Sequence, residues 1–207
     1  SAGVVALCRK RILQERNRRF FQKNINRGIC EISYAIYQIL QDAKEAGVLI
    51  SFDPNLRKPL WKSMDDAKEK ISWGLSQCDI LKISDDEIEF MTGEKDIKTG
   101  VKKLIDEYHI PFICATMGKN GSMAFFDGHI VEAAPFLRDD TVETTGAGDT
   151  FCACLLHDVL EHGINDRKDD DVKKMLTFAN AAASLITTRK GALRVMPEKG
   201  EVEAVIK

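Results

Sequence analysis

Apolar residues follow two alternating patterns along residues 31–207, short continuous runs and longer stretches with helical spacing. The spacing from Tyr34 to Ala43 predicts a helix that Gly47 ends. Helices are predicted at residues 34–46, 64–75, 85–91, 97–108, 147–161 and 172–188. Strands are predicted at residues 48–52, 79–83, 111–116, 123–126 and 129–133, the last two flanking the hairpin dipeptide Asp127-Gly128. Because strands and helices alternate, we expect an α/β fold with a mostly parallel central sheet.

Composition limits the classes of function. The chain has 207 residues, 44% of them hydrophobic, enough for one compact domain or for one domain plus an attachment. The formal net charge of −2 provides no general attraction to nucleic acid or to an anionic membrane. We see no run of eighteen apolar residues and no signal-peptide pattern, so the cytoplasm is the expected compartment. The six cysteines form no CxxC pair, which favours reduced and mostly buried thiols.

Residues 1–30 differ in composition from the rest of the chain. Eight Lys or Arg residues fall between positions 9 and 27, and Glu15 is the only acid there. This composition is typical of a basic amphipathic helix or a flexible arm, which either binds a partner or is a solvated extension. We therefore separate an atypical basic segment, residues 1–30, from a regular part, residues 31–207.

The most informative stretch is Thr144-Thr145-Gly146-Ala147-Gly148-Asp149, which leads directly into a predicted helix. Small residues let backbone amides approach an anion, and the free amides of a first helical turn carry partial positive charge. The stretch therefore predicts a cradle for a phosphate or for charge developing on a phosphoryl group. Asp149 in such a cradle suits a general base for a hydroxyl that attacks phosphorus. The alternative is that Asp149 only occupies a first helical turn, where acids are favoured.

The same stretch resembles the C-terminal signature of the PfkB carbohydrate kinases. The resemblance implies that Gly146, Ala147 and Gly148 form an anion hole with their backbone amides and that Asp149 is the catalytic base. The family usually has Asp at the position of Glu143, which is associated with a monovalent cation such as K⁺. Cation activation therefore stays an open question at Glu143.

Two further segments match the family on the substrate side. Residues 51–57 resemble the strand-to-loop segment of fructokinases and ketodeoxygluconate kinases, which implies that Asp53, Asn55 and Arg57 face the substrate. An ordinary Pro-Asn turn with a solvated Arg is the alternative. Residues 84–87 match an Asn-x-x-Glu motif, with Ser first, which implies that Glu87 organises magnesium through water. The same four residues also form a capping box for the next helix.

Two segments match the family on the nucleotide side. Residues 116–122 resemble a Thr-x-Gly-x-x-Gly segment, which implies that Thr116, Gly118 and Gly121 wrap nucleotide phosphates. A turn into the hairpin would also explain these glycines. Residues 180–183 and 187–192 match the adenine-side region, which implies that Asn180 and Gly191 contact the nucleotide.

The resemblance implies a ribokinase-like three-layer α/β/α fold with a mostly parallel sheet. The early central strands, the β lid and the Gly-Gly motif of the family are not recognisable, and residues 1–30 do not match the family segment expected there. We therefore expect a domain truncated at its N-terminal side and lacking the lid. Residues 31–207 are expected to be the nucleotide-binding and catalytic part.

The function that the resemblance implies is ATP-dependent phosphorylation of a sugar hydroxyl, with ATP and Mg²⁺. Fructose is the first expected acceptor, 2-keto-3-deoxygluconate the second and a nucleoside the third. An inactive nucleotide-binding remnant and a non-enzymatic module that uses the basic segment are alternatives of other classes. The expected partners are the sugar and ATP, without nucleic acid or membrane, and a homodimer through an exposed sheet edge is a further expectation.

Overall fold

The computed structural model describes residues 3–7 and 29–207. The chain divides into two compact units, with the boundary between Ile113 and Cys114. The first unit contains β1 (Gly3–Leu7), α1 (Ile29–Glu45), β2 (Leu49–Asp53), α2 (Met64–Leu75), β3 (Ile80–Ser84), α3 (Asp85–Thr92) and α4 (Ile97–Tyr108). Strand β4 (Phe112–Thr116) carries the boundary. The second unit contains β5 (Ser122–Phe126), β6 (His129–Ala133), α5 (Ala147–His162), α6 (Asp169–Ile186) and α7 (Lys199–Ile206).

In the first unit, β2 pairs with one antiparallel and one parallel neighbour. Strand β1 runs antiparallel to β2, with Gly3 opposite Asp53, and β3 runs parallel to it, with Ser51 opposite Ile80. Because β2 and β3 are parallel, their carboxyl ends reach the same edge, where open α/β sheets bind ligands. The prediction of a helix or flexible arm is wrong for residues 3–7, because Gly-Val-Val-Ala-Leu forms a strand. The basic stretch at residues 9–27 lies outside the described residues.

The apolar runs form the core of the first unit, as their pattern predicts. Phe52 of β2 is 2% exposed, and the β3 residues Ile80, Leu81 and Ile83 are fully buried. Gly74 of α2 lies against the Phe52 ring so closely that a Cβ there would stand 2.5 Å from Cζ. Helix α2 begins at the predicted residue because the Ser63 side chain accepts a hydrogen bond from the Asp66 amide at 3.0 Å.

In the second unit, β5 and β6 form the predicted hairpin. Asp127 and Gly128 have φ values of 46° and 76°, so both turn residues are left-handed, as a type I′ turn requires. The register runs from Ser122 opposite Ala133 to Phe126 opposite His129. The hairpin therefore carries its last residue, Ala133, back beside the segment that precedes β5.

The helices of the second unit differ from prediction at two places. Helix α6 begins at Asp169 rather than near residue 172, because three consecutive aspartates in its first turn interact favourably with the helix dipole. Helix α7 was not predicted; Glu198 and Glu201 form a capping box at its start, and Val202 packs in the core against α6. None of the helices in the described part of the chain has the length and apolar character needed to cross a membrane.

Candidate functional site

The Gly-Ala-Gly-Asp stretch forms the N-terminus of α5. Gly146 is the N-cap residue and has φ +88°, a left-handed conformation that favours glycine. The Ala147 amide donates to Thr144 O at 3.2 Å, and the Thr150 amide donates to Gly146 O at 2.8 Å. The loop therefore turns tightly into a helix of 16 residues.

Asp149 lies in the first turn of α5 with its side chain exposed. The next two residues, Thr150 and Phe151, are buried and anchor this turn in the core. The Ala147 amide donates to Thr144 O, whereas the following amides of a first helical turn have no carbonyl one turn earlier to bind and can donate to an anion. The arrangement therefore places a solvent-accessible carboxylate at a helix N-terminus, and anion binding there stays a prediction.

Glu143 lies in a loop that is tied to the end of α6. The amides of Val142 and Glu143 both donate to Thr187 O, at 2.8 and 3.0 Å, and the Glu143 side chain is half-buried. These bonds fix the backbone just before the Gly146 turn. A cation site at Glu143 stays a prediction.

The segment after β4 contains two glycines with different surroundings. Residues 118–120 form a short 3₁₀ turn that begins two residues after Thr116, the last residue of β4. Gly118 has φ +52° and open space beside its Cα, which suits close approach of a ligand to the backbone. Gly121 has φ +88°, and a Cβ there would stand far inside 3.0 Å from Ala133 O. Packing therefore requires Gly121, in addition to any ligand contact.

Asn180 of α6 is bonded to the chain that leaves the hairpin. Its side chain is 7% exposed, and its Nδ2 donates to Ala133 O at 3.2 Å and to Ala134 O at 3.0 Å. Gly121 and Asn180 therefore meet at Ala133. Sequence reasoning missed this structural role, because α6 and the hairpin are far apart along the chain. Gly191, with φ +126°, precedes a short 3₁₀ helix at residues 192–195.

A cavity of about 420 Å³ lies beside the 118–120 turn, and its lining includes Met117, Asn120, Ser122 and Lys173. The Ser122 side chain is fully buried, and its Oγ has no hydrogen-bond partner within the described residues. The sequence singled out neither Asn120 nor Ser122 individually. Both residues fall in the segment that resembles the family's nucleotide motif, which is the signal that could have found them.

In the first unit, Asp53 and Asn55 lie together at the carboxyl end of β2. The Asn55 amide donates to Asp53 Oδ1 at 3.2 Å, and Asn55 has φ +44°. Lys82 of β3 lies 3.4 Å from the same carboxylate and is 7% exposed. Arg57 is exposed. Sequence reasoning missed Lys82, although a lysine inside the apolar run Ile-Leu-Lys-Ile was a visible signal.

Glu87 holds backbone amides from two elements. Its Oε1 accepts from the Leu56 amide at 2.6 Å, and its Oε2 accepts from the Ser84 amide at 2.9 Å. The Ser84 side chain accepts from the Glu87 amide, so the predicted capping box is confirmed. Each carboxylate oxygen has a second lone pair, so these bonds are compatible with water-mediated metal binding and leave less room for direct coordination. A magnesium role for Glu87 stays a prediction.

The described residues form no metal-ligating cluster, and burial makes two of their thiols unreactive. Within residues 3–7 and 29–207, no group of three or more His, Cys, Asp or Glu side chains could hold a metal ion. Burial raises the pKa of the Cys78 thiol to about 12 and that of Cys154 to about 11. Because the thiolate is the reactive form, these cysteines are inert near neutral pH.

Comparison with known proteins identifies relatives over most of the chain. The pattern described as pfkB family carbohydrate kinase matches residues 18–199, beginning inside the segment that composition sets apart. Probable fructokinase-2 of Arabidopsis thaliana is 35% identical over 168 residues, which are 81% of this chain and 51% of that protein. The chain therefore spans about half the length of this curated relative.

Solved structures show the same fold. The crystal structure of fructokinase from Vibrio cholerae O395, with fructose, ADP and calcium bound, matches with a TM-score of 0.75 and 25% identity, over 86% of this chain and 57% of that one. Ribokinase from Arabidopsis thaliana, complexed with ribose and ATP, matches with a TM-score of 0.61 and 27% identity, over 82% of this chain and 51% of that one. The chain thus has a ribokinase-like α/β fold. The family pattern matches far more than half of the chain. It belongs to the pfkB family of carbohydrate kinases.

Proposed function

We propose that this chain carries the nucleotide-binding and catalytic part of an ATP-dependent sugar kinase, with fructose as the acceptor. The observation that carries the proposal is the N-terminus of α5, where an exposed Asp149 follows the left-handed Gly146 turn. Fructose is preferred because probable fructokinase-2 of Arabidopsis thaliana is 35% identical to the chain, and because the Vibrio cholerae structure is a fructokinase with bound fructose and ADP.

In the proposed reaction, Asp149 takes the proton from a sugar hydroxyl. The resulting oxygen attacks the γ-phosphorus of ATP in line, the bond to the β–γ bridging oxygen breaks, and ADP leaves. The backbone amides of Gly146, Ala147 and Gly148 stabilise the negative charge that develops on the transferred group, that of Ala147 in place of its bond to Thr144 O. Positioning and charge stabilisation supply most of the catalysis in such reactions, because the protein forms no covalent bond.

The remaining predicted residues have supporting roles. Thr116, Gly118 and Gly121 would hold nucleotide phosphates, and Asn180 and Gly191 would contact the adenine side. Asp53, Asn55 and Arg57 would face the sugar. The five nucleotide residues all belong to the second unit, and the three acceptor residues all belong to the first.

Two cations accompany this proposal. Mg²⁺, when bound, would neutralise the charge of the ATP phosphates, and Glu87 would hold its water shell while keeping its bonds to the Leu56 and Ser84 amides. K⁺ is proposed near Glu143, where the backbone is fixed by two bonds to Thr187 O.

2-Keto-3-deoxygluconate is the second candidate acceptor. The exposed guanidinium of Arg57 follows a loop held by hydrogen bonds, and a guanidinium suits the carboxylate that this sugar acid carries. Fructose has no carboxylate, so the two acceptors would respond differently to Arg57→Ala. The variant should weaken use of the sugar acid more than use of fructose.

The proposal is tested by Mg-ATP binding and by sugar-dependent ADP release. Parent and Asp149→Ala should bind Mg-ATP alike in calorimetry, whereas ADP release with fructose should fall by about 10²–10⁴-fold in the variant. Asp170→Ala is the matched control, because Asp170 is also an exposed acid in a first helical turn. A folded chain that binds ATP without sugar-dependent turnover would be a nucleotide-binding remnant. Equal turnover by parent and Asp149→Ala would overturn the assignment of the base.

A further inference from the structure

Buried charged groups hold the loop that follows β2. We propose that Lys82 and Glu87 are positioning residues for the acceptor: together they fix the backbone of Asn55 and Leu56, and so the direction in which Arg57 leaves the loop. This proposal rests on the proposed function, in which residues 53–57 face the sugar. It gives Glu87 a task in acceptor binding that is independent of any metal.

Lys82 occupies a position where the strand pattern calls for an apolar residue. Its neighbours on β3, Ile80, Leu81 and Ile83, are fully buried, and Lys82 itself is 7% exposed. A buried ammonium is costly unless it is paired, and its ion-pair partner is Asp53, at 3.4 Å. The lysine therefore holds the Asp53 carboxylate in place beside the loop.

The Asp53 side chain in turn supports an unusual backbone conformation. Its Oδ1 accepts the Asn55 amide two residues later, an Asx turn, and Asn55 has φ +44°. Asn is one of the few residues that tolerate this region, and the bond from its amide favours it further. A chain of contacts thus runs from Lys82 through Asp53 to the turn at Asn55.

Glu87 holds the next amide of the same loop. Its Oε1 accepts from Leu56 at 2.6 Å, while its Oε2 accepts from Ser84 at the end of β3. Glu87 is 7% exposed, so these bonds lie away from bulk water and are worth more than surface contacts. One carboxylate therefore ties the loop after β2 to the start of α3.

The amides of Asn55 and Leu56 are consecutive, and Arg57 follows them. With both amides held, few backbone directions remain for Arg57, whose side chain is exposed. Fixing a binding group in advance lowers the entropy cost of binding the acceptor. Loosening the loop should therefore weaken acceptor binding and leave ATP affinity nearly unchanged.

The first test compares Lys82→Met and Lys82→Arg with the parent chain. Lys82→Met should raise the KM for fructose about tenfold or more while the KM for ATP changes less than about twofold, and Lys82→Arg should restore much of the loss. Lys70→Met is the matched control, because Lys70 is an exposed lysine of the same unit. Equal changes in both KM values, or none, would overturn the proposal for Lys82.

The second test uses the pair. Asp53→Asn/Lys82→Met removes both charges of the ion pair together, and the amide oxygen introduced at position 53 can still accept from the Asn55 amide. The double variant should therefore have a higher free energy of unfolding in urea than Lys82→Met alone. A double variant that is no more stable than Lys82→Met would contradict the proposed contacts from Lys82 through Asp53 to Asn55.

The third test is hydrogen exchange at individual amides, which does not require turnover. Lys82→Met should accelerate exchange at Asn55, and Glu87→Gln should accelerate exchange at Leu56 or Ser84, because one Gln oxygen cannot replace two carboxylate oxygens. Other amides of β2 should keep their protection. Unchanged exchange at all three amides would overturn the proposal that Lys82 and Glu87 fix this loop, even if the kinase activity is present. Absence of sugar-dependent turnover in the parent would refute the proposed function and the acceptor role, whereas the exchange data would still decide whether Lys82 and Glu87 fix the loop.

Discussion

Gly121 packs directly against the carbonyl oxygen of Ala133, leaving no space for a Cβ. The same carbonyl accepts a hydrogen bond from Asn180 at 3.2 Å. The segment that resembles a nucleotide motif, the end of the hairpin and α6 therefore meet at one backbone group. A glycine that sequence alone assigns to a ligand also has a packing role here.

Gly121→Ala should destabilise the protein strongly. The substitution combines a left-handed φ of +88° with overlap against Ala133 O, so we expect a loss of about 3 kcal/mol or more in the free energy of unfolding. Gly128→Ala is the control: its φ is +76°, but nothing lies within 4 Å of its Cβ position, so strain alone should cost about 1 kcal/mol. Urea unfolding measures both. Equal losses would show that the close packing at Gly121 has no energetic weight.

Asn180→Ala should also destabilise the protein, whether or not Asn180 contacts a nucleotide. The change leaves the carbonyls of Ala133 and Ala134 without the side-chain donor, at a cost of about 2–3 kcal/mol. Ser184→Ala, which removes only a bond within α6, should change stability by less than about 0.5 kcal/mol. Thermal unfolding distinguishes them. A nucleotide role for Asn180 would require a loss of ATP affinity measured where the variant is fully folded.

Gly146→Ala should reduce turnover as well as stability. The N-cap residue has φ +88°, so alanine would distort the turn that aims the first amides of α5, at a cost of about 1–2 kcal/mol. Gly163→Ala, at the other end of α5, strains the backbone at φ +76° without touching that turn. We expect sugar-dependent ADP release to fall for Gly146→Ala and to persist for Gly163→Ala under conditions where both are folded. Equal turnover would place the anion hole elsewhere.

Gly74→Ala should disturb the core of the first unit. The added Cβ would stand 2.5 Å from Phe52 Cζ, so the ring must shift, and we expect a loss of about 1–3 kcal/mol. Phe52→Leu also destabilises by itself, because a buried aromatic side chain is lost. The double variant should be more stable than the sum of the two losses predicts, since the smaller leucine leaves space for the new methyl group. Additive losses in urea unfolding would contradict this contact.

Stability should fall at alkaline pH through Cys78. Burial, with a smaller contribution from the Asp79 carboxylate, raises the pKa of this thiol to about 12, whereas an unfolded thiol has a pKa near 8.5. The unfolded state therefore releases the proton first, so the stabilisation is complete below pH about 8.5 and is lost as the pH rises toward about 12. The loss should approach about 1.4 kcal/mol per pH unit in that range. Cys78→Ala should remove this part of the pH dependence; identical profiles would contradict it.

Local signals sufficed for the type and order of the helices and strands from α1 to α6. The predicted bounds of α2 and α4 match the structure residue for residue, because a capping side chain and an apolar period lie within each segment. The hairpin at Asp127-Gly128 is confirmed for the same reason. Helix α7 was not predicted, because it begins with Lys199 and Gly200 and its apolar pattern is short, although Val202 is buried.

The sequence by itself determined the α/β pattern, the family and the stretch from Gly146 to Asp149. Each of these depends on residues that are neighbours along the chain, whose backbone and side-chain preferences act locally. Only the tertiary structure decided what Lys82, Glu87 and Asn180 contact. Their partners lie 29, 31 and 46 or 47 residues away along the chain, and such contacts exist only after strands and helices have packed. A buried charge or amide indicates that it must have a partner, and folding determines which one.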